Sequence, residues 1–245
     1  MTSETNSTSK KKYLIAVVLF VALFAIQFLF SRIGWYIAGL FDCSLLDRDN
    51  LFAQVSIHHI VQALCGLVAI FLLYKIKNIE GFKLFSKYDA KGIKYTMVFS
   101  IVLGLYYLIV YIVGSFTHTI SIYDYELNPV NIIGTLGFQL FLSGPSEEIL
   151  FRSLPITLLL YVLKSDSKKD YMIAVISAAI LFGLAHINIF TFSVPVFQVC
   201  YAFVLGIIYG ITFIKTKSVI YPMIMHSLSN VISAGGCYLY MTLVR

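Results

Sequence analysis

Charge is scarce in this sequence. Only 12% of its 245 residues are Asp, Glu, Lys or Arg, about half the roughly 25% of a soluble globule. Fully 59% are hydrophobic and the mean hydropathy is +0.87, so the chain is too poor in charge to clothe itself in a solvated surface, which excludes a soluble domain. The roughly ten-residue alternation of barrel strands is also missing. The expected fold class is therefore all-α, a polytopic membrane helical bundle of about seven spans. The four cysteines, Cys43, Cys65, Cys200 and Cys237, show neither CxxC nor zinc-type spacing, and three lie in apolar segments, as small packing residues do. There is no internal repeat and no Gly-rich phosphate loop.

Apolar runs long enough to cross a ~30 Å hydrocarbon core are what the sequence does have. They fall at about 13–31, 51–74, 95–116, 131–163, 172–189, 195–214 and 218–242. The first run follows Lys10-Lys11-Lys12 as in a signal peptide, but it is too long and lacks a small-residue cleavage site, so it reads as a retained span. Residues 1–12 form a polar tail whose first nine residues are expected to be disordered. Residues 13–129 hold the N-terminal spans and 130–245 the segment richest in polar motifs.

The net charge of +6 is a topology signal, since its distribution gives no nucleic-acid surface. All 14 lysines fall in the tail or in alternate loops on one side: Lys10 to Lys12, the 75–94 loop, the 164–169 loop, and Lys215 with Lys217. The opposite loops carry Asp42, Asp47, Asp49, Asp124 and Glu126 against Arg48 and the terminal Arg245. By the positive-inside rule the protein is multi-pass in the cell membrane with a cytoplasmic N-terminus. Gly144-Pro145 predicts a break or strong kink in the fourth stretch, and Gly235-Gly236 a break in the last, which would make an eighth helical piece.

Three polar motifs interrupt these spans. Carboxylates at membrane depth mark function by default, and Glu147-Glu148 sit in the sequence Ser146-Glu147-Glu148-Ile149-Leu150-Phe151-Arg152. Glu148 and Arg152, four residues apart on one helical face, predict an ion pair; Glu147, rotated about 100° away, is left as the freer carboxylate. The bland alternative, a structural Glu-Arg pair, accounts for Glu148 and Arg152 but leaves Glu147 without a partner. His186 follows Phe182 by one turn and precedes Asn188 by two residues, and His226 precedes Asn230 by one turn. Counting 1.5 Å per residue from the flanking lysines places Glu147 and His186 at ~25 Å, Asn230 at ~20 Å and His226 at ~14 Å depth, so the four can meet inside the bilayer. His58, His59 and the loop residue His118 are read as packing or interhelical hydrogen-bonding residues.

Glu147-Glu148 with Arg152, Phe182 to His186, and His226 to Asn230 resemble, in spacing and order, the motifs of the CPBP (ABI) intramembrane proteases. That group includes the type II CAAX prenyl endopeptidases and bacteriocin-processing or immunity proteins. The resemblance covers about 130–235, with no departure at the motif positions, and makes 130–245 the protease-like core. It implies peptide-bond hydrolysis in the membrane on a peptide or protein substrate. Glu147 with His186 would activate a water, His226 and Asn230 would stabilise the oxyanion, and Glu148, Arg152 and Phe182 would support the site. The family is commonly classed as metallopeptidase, and Glu147, Glu148, His186 and His226 are the zinc candidates. The chain has no HExxH helix, however, and a metal-free glutamate mechanism stands equally.

Two other functions fit the same residues. A small proton-coupled transporter would use the carboxylates and imidazoles as a proton relay, and a non-catalytic membrane immunity or scaffold protein would only pack them. The sequence does not distinguish a prenylated substrate from a leader peptide, a pheromone or a membrane-protein tail.

Overall fold

The computed structural model describes residues 2–85, 88–164, 167–187 and 193–244. Seven helical stretches account for most of them: the first Thr2–Ala38, the second Ala53–Lys77, the third Ala90–Thr117, a fourth over 129–163, the fifth Lys168–Leu184, the sixth Val196–Thr216 and the seventh Ile220–Val244. Each follows a run marked by hydropathy. The protein is a polytopic helical bundle. The expectation of disorder for the first nine residues falls on residues whose side chains lie outside those described.

Local chemistry sets the ends. The Asp89, Asn128 and Ser167 side chains accept from Lys91 N, Asn131 N and Asp170 N at the starts of the third, fourth and fifth helices, as capping residues do. Asn78, His118, Lys164 and Lys217 close helices in the left-handed conformation, the usual C-terminal stop.

Helix ends that share lysines meet in space. Lys12 Nζ lies 3.0 Å from Asp170 Oδ2, Val219 N donates to the Lys83 carbonyl at 3.0 Å, and Asp89 N donates to the Tyr221 hydroxyl at 2.7 Å. At the other end Asn131 Nδ2 donates to Asp49 Oδ2 and to the Glu126 carbonyl at 2.7 and 2.8 Å, while the Tyr125 and Tyr238 hydroxyls bond at 2.8 Å. The bundle thus has a lysine-rich end and a lysine-poor end.

Four helices are long and apolar enough to cross a membrane by length and composition: the first from Lys10, the second, the third and the sixth. The other three carry the polar motifs. The fifth helix falls short in length, with 17 residues, and the seventh spends His226, Ser227, Ser229 and Asn230 on one stretch.

The fourth helix is the centre of the bundle. Leu150, Leu154, Ile156 and Leu159 are buried in the main core with Val175, Ala178, Leu181 and Phe182 of the fifth helix. Of the break or strong kink expected at Gly144-Pro145, the break is absent, for backbone angles stay right-handed helical through Ser143 and Gly144. Two π-helical turns, Gln139–Ser143 and Ile149–Ser153, absorb the prolines instead. Each ends two residues before a proline, Pro145 or Pro155. In the second turn Leu154 N–H reaches back five residues to the Ile149 carbonyl, so the Leu150 carbonyl would next meet Pro155, which has no N–H. Gln27 Nε2 of the first helix satisfies that carbonyl at 2.7 Å. Such π turns widen a helix without ending it and recur at functional sites.

The seventh helix also runs unbroken through Gly235-Gly236. Gly236 serves packing: a Cβ there would lie 2.7 Å from the Tyr111 ring of the third helix.

Candidate active site

Gly144 brings the fourth and seventh helices together. A Cβ on it would lie 2.5 Å from Ser227 Oγ and 2.7 Å from the Met223 carbonyl, so only glycine allows the approach. That contact sets Glu147 and Glu148 against His226 and Asn230.

Glu148 has no solvent exposure. Its Oε2 lies 3.0 Å from Arg152 Nε and its Oε1 lies 2.9 Å from His226 Nδ1. The Arg152 contact is one of charge, for it lacks hydrogen-bond geometry, and no guanidinium nitrogen has a hydrogen-bond partner. The cation is held by rings instead. It lies 4.4 Å from the Phe182 centroid and 5.4 Å from that of Tyr209, a cation–π arrangement that strengthens where water is excluded.

Glu147 is the one carboxylate of the pair that reaches a cavity, with its side chain 18% exposed. Its Oε2 lies 3.6 Å from His226 Nε2 and its Oε1 lies 3.7 Å from His59 Nε2. Two cavities, of about 470 and 280 Å³, share Glu147, His186, His59 and Gln198 in their walls, and the second adds His226, Asn230 and Ser143. The four residues expected to converge from their depths do so around this space.

The hydrogen bonds assign the imidazole tautomers. Ser146 Oγ donates to the Ser143 carbonyl, so at 2.7 Å it accepts from His59 Nδ1. Nδ1 of His226 donates to the Glu148 carboxylate, and Nδ1 of His186 donates to the Phe182 carbonyl at 2.8 Å. In its neutral form each ring therefore keeps a lone pair on Nε2. Two of these lone pairs face the acceptor-only carboxylate of Glu147, an arrangement that calls for a shared proton or a water with two hydrogens to give. Asn230 Nδ2 donates one N–H to Ser143 Oγ at 3.0 Å and keeps a second.

Two participants were missed in the sequence. His59, read as packing, stands beside Glu147, while its neighbour His58 does pack, stacked on Trp35 at 4.4 Å. Tyr209 of the sixth helix stacks on His226 at 5.3 Å and donates to Ser229 Oγ, which donates to the His226 carbonyl. Neither has a motif of its own; a histidine pair in an apolar span was the only available signal for His59. Asn188 lies outside the described residues.

The donors as arranged do not make a metal cage. Among the described residues no three His, Cys, Asp or Glu side chains gather within reach of one ion. Glu147 turns different oxygens to its two imidazoles, and both oxygens of Glu148 are committed to Arg152 and His226.

These features define a polytopic helical membrane protein with a carboxylate–imidazole centre buried at its middle. Residues 129–232, which hold all three motifs, match the family described as type II CAAX prenyl endopeptidase Rce1-like. It is a protease family. No curated protein and no solved structure matches the chain.

Proposed function

We propose that the protein is an intramembrane endopeptidase in which Glu147 activates a water for attack on a peptide carbonyl. The observation that carries this is the placement of the Glu147 carboxylate at a cavity wall between two imidazole lone pairs, with its neighbour Glu148 withdrawn into a structural triad. A carboxylate so placed takes a proton from the water as it attacks and returns it to the leaving nitrogen. His186 lines the same cavity and helps hold the water. The free N–H of Asn230 meets the oxygen that becomes negative, and His226 reaches the same space through Nε2 when that atom carries a proton; such donors act strongly in a dry site. Arg152 and Phe182 position Glu148 and His226.

The test is proteomic. Membrane-peptide fragments are compared between cells carrying the wild-type chain and cells carrying Glu147→Gln. Fragments present only with the wild type support the proposal, whereas identical fragment sets with wild-type cellular function leave a non-catalytic membrane protein.

A further inference from the structure

The two cavities beside Glu147 reach only one end of the bundle. Their walls come from the lysine-poor halves of the helices: Ser31 and Arg32 near the end of the first, His59 and Gln62 in the first half of the second, Leu184 to Ile187 at the end of the fifth, and Gln198 at the start of the sixth. Phe151 and His226, in the lysine-rich halves of the fourth and seventh helices, and Asn230, near the middle of the seventh, form the floor.

The lysine-rich end is stoppered. After Asn78 the chain tucks beneath the fourth helix, with Ile79 and Phe82 buried in the main core. Ser153 Oγ donates to the Phe82 carbonyl and Thr157 Oγ1 to the Gly81 carbonyl, and Val219 N binds the Lys83 carbonyl. Gly81, at φ +100°, makes the turn that this tuck needs. The segment therefore stands between Arg152 and the lysine-rich surface.

Lysine asymmetry orients these ends, because basic loops are retained on the cytoplasmic side. We propose that the site is entered from the extracytoplasmic leaflet, and that its substrates are peptides whose cleaved bond lies in the outer half of the bilayer or just beyond it. This rests on the endopeptidase function proposed above. The wall chemistry suits such a guest, since an unwound peptide in hydrocarbon must find partners for every N–H and C=O. Gln62, Gln198, Ser31 and Arg32 line the path with side-chain donors and acceptors.

The experiment is thiol labelling of the full chain with Cys43, Cys65, Cys200 and Cys237 replaced by Ser. Ser31→Cys and Gln198→Cys probe the cavity, and Lys83→Cys probes the stopper. A charged, membrane-impermeant maleimide is applied to intact cells and to inverted vesicles. Expected is reaction of positions 31 and 198 in intact cells only and of position 83 in inverted vesicles only. Reaction of 31 and 198 in inverted vesicles only, or in neither preparation, overturns the proposal. Should Ser31→Cys not accumulate, Gln198→Cys answers the same question. Labelling does not depend on turnover, so the expected pattern together with full peptide processing by Glu147→Gln removes the endopeptidase and leaves the outward cavity. The reverse pattern with loss of processing in Glu147→Gln does the opposite.

Discussion

Nδ1 of His226 lies 2.9 Å from Oε1 of Glu148, whose other oxygen lies 3.0 Å from Nε of Arg152. Three motif residues on two helices thus form one buried unit, with Glu147 beside it and outside it. The adjacent glutamates have different physical fates because a helix turns about 100° per residue. One faces the core and the other a cavity.

Stability should separate them. Arg152→Ala strands the fully buried Glu148, a change that costs about 3–5 kcal/mol when a buried partner is removed. Thermal unfolding of purified protein in detergent should show a clear loss for Arg152→Ala. For Glu147→Gln the change should stay within about 0.5 kcal/mol, with turnover down by about 10² to 10⁴ from loss of the base. A stable Glu147→Gln protein that still cleaves at the wild-type rate rules out the assignment.

His59 supplies a second separation. Its Nδ1 is held by Ser146 and its Nε2 faces Glu147, so His59→Ala should lower kcat by about 10-fold or more. His58→Ala should act on folded yield, because that ring packs on Trp35. Parallel measurement of kcat and unfolding temperature distinguishes the two neighbours. Equal kcat loss in both, with no change in stability, speaks against a specific role for His59.

The helical class, the seven stretches, the Glu148–Arg152 pair and the convergence of Glu147, His186, His226 and Asn230 were legible because each depends on local period or on depth along a helix. His59 and Tyr209 were not. Their roles come from the lateral arrangement of the second and sixth helices around the fourth, which no periodicity within one helix encodes. Helix continues through Gly144-Pro145 and Gly235-Gly236, where a break was among the expectations, for a related reason. Proline's missing donor can be absorbed by a π turn, and a helical glycine can serve a neighbour's close approach instead of a bend.

Gly144→Ala tests that close approach. Its Cβ would meet Ser227 Oγ and the Met223 carbonyl inside van der Waals distance, and the backbone carbonyl has little room to yield. Overpacking of this kind costs about 1–3 kcal/mol. Separating the fourth and seventh helices also moves Glu147 from His226, so activity should fall with stability. Gly104→Ala, where a Cβ meets nothing within 4 Å, is the control and should leave both unchanged.

Asn230→Ala removes the donor proposed for the oxyanion. Loss of one such donor lowers kcat by about 10² to 10³, and since the interaction forms in the transition state, KM should hold nearly constant. Ser143→Ala removes only the partner that fixes the amide and should cost less. A large rise in KM with unchanged kcat for Asn230→Ala would place the residue in substrate binding instead.

Metal content supplies the remaining test. Each of His59, His186 and His226 commits Nδ1 to a protein acceptor, and His59 and His226 turn Nε2 toward Glu147, the orientation metal ligands also adopt. What these side chains lack is convergence, since no three acidic, thiol or imidazole groups among the described residues meet at one point. Zinc held structurally would need about four ligands near 2.0–2.3 Å, and a catalytic zinc three plus a water. Purified active protein is therefore expected to contain well under one zinc per chain and to keep its activity through dialysis against a chelator. Zinc near one per chain that falls with activity on chelation and returns with it on reconstitution would mean that Glu147, His59 and His226 close around an ion. Under that outcome His59→Ala should lose metal as well as rate, whereas a positioning role for His59 predicts loss of rate alone.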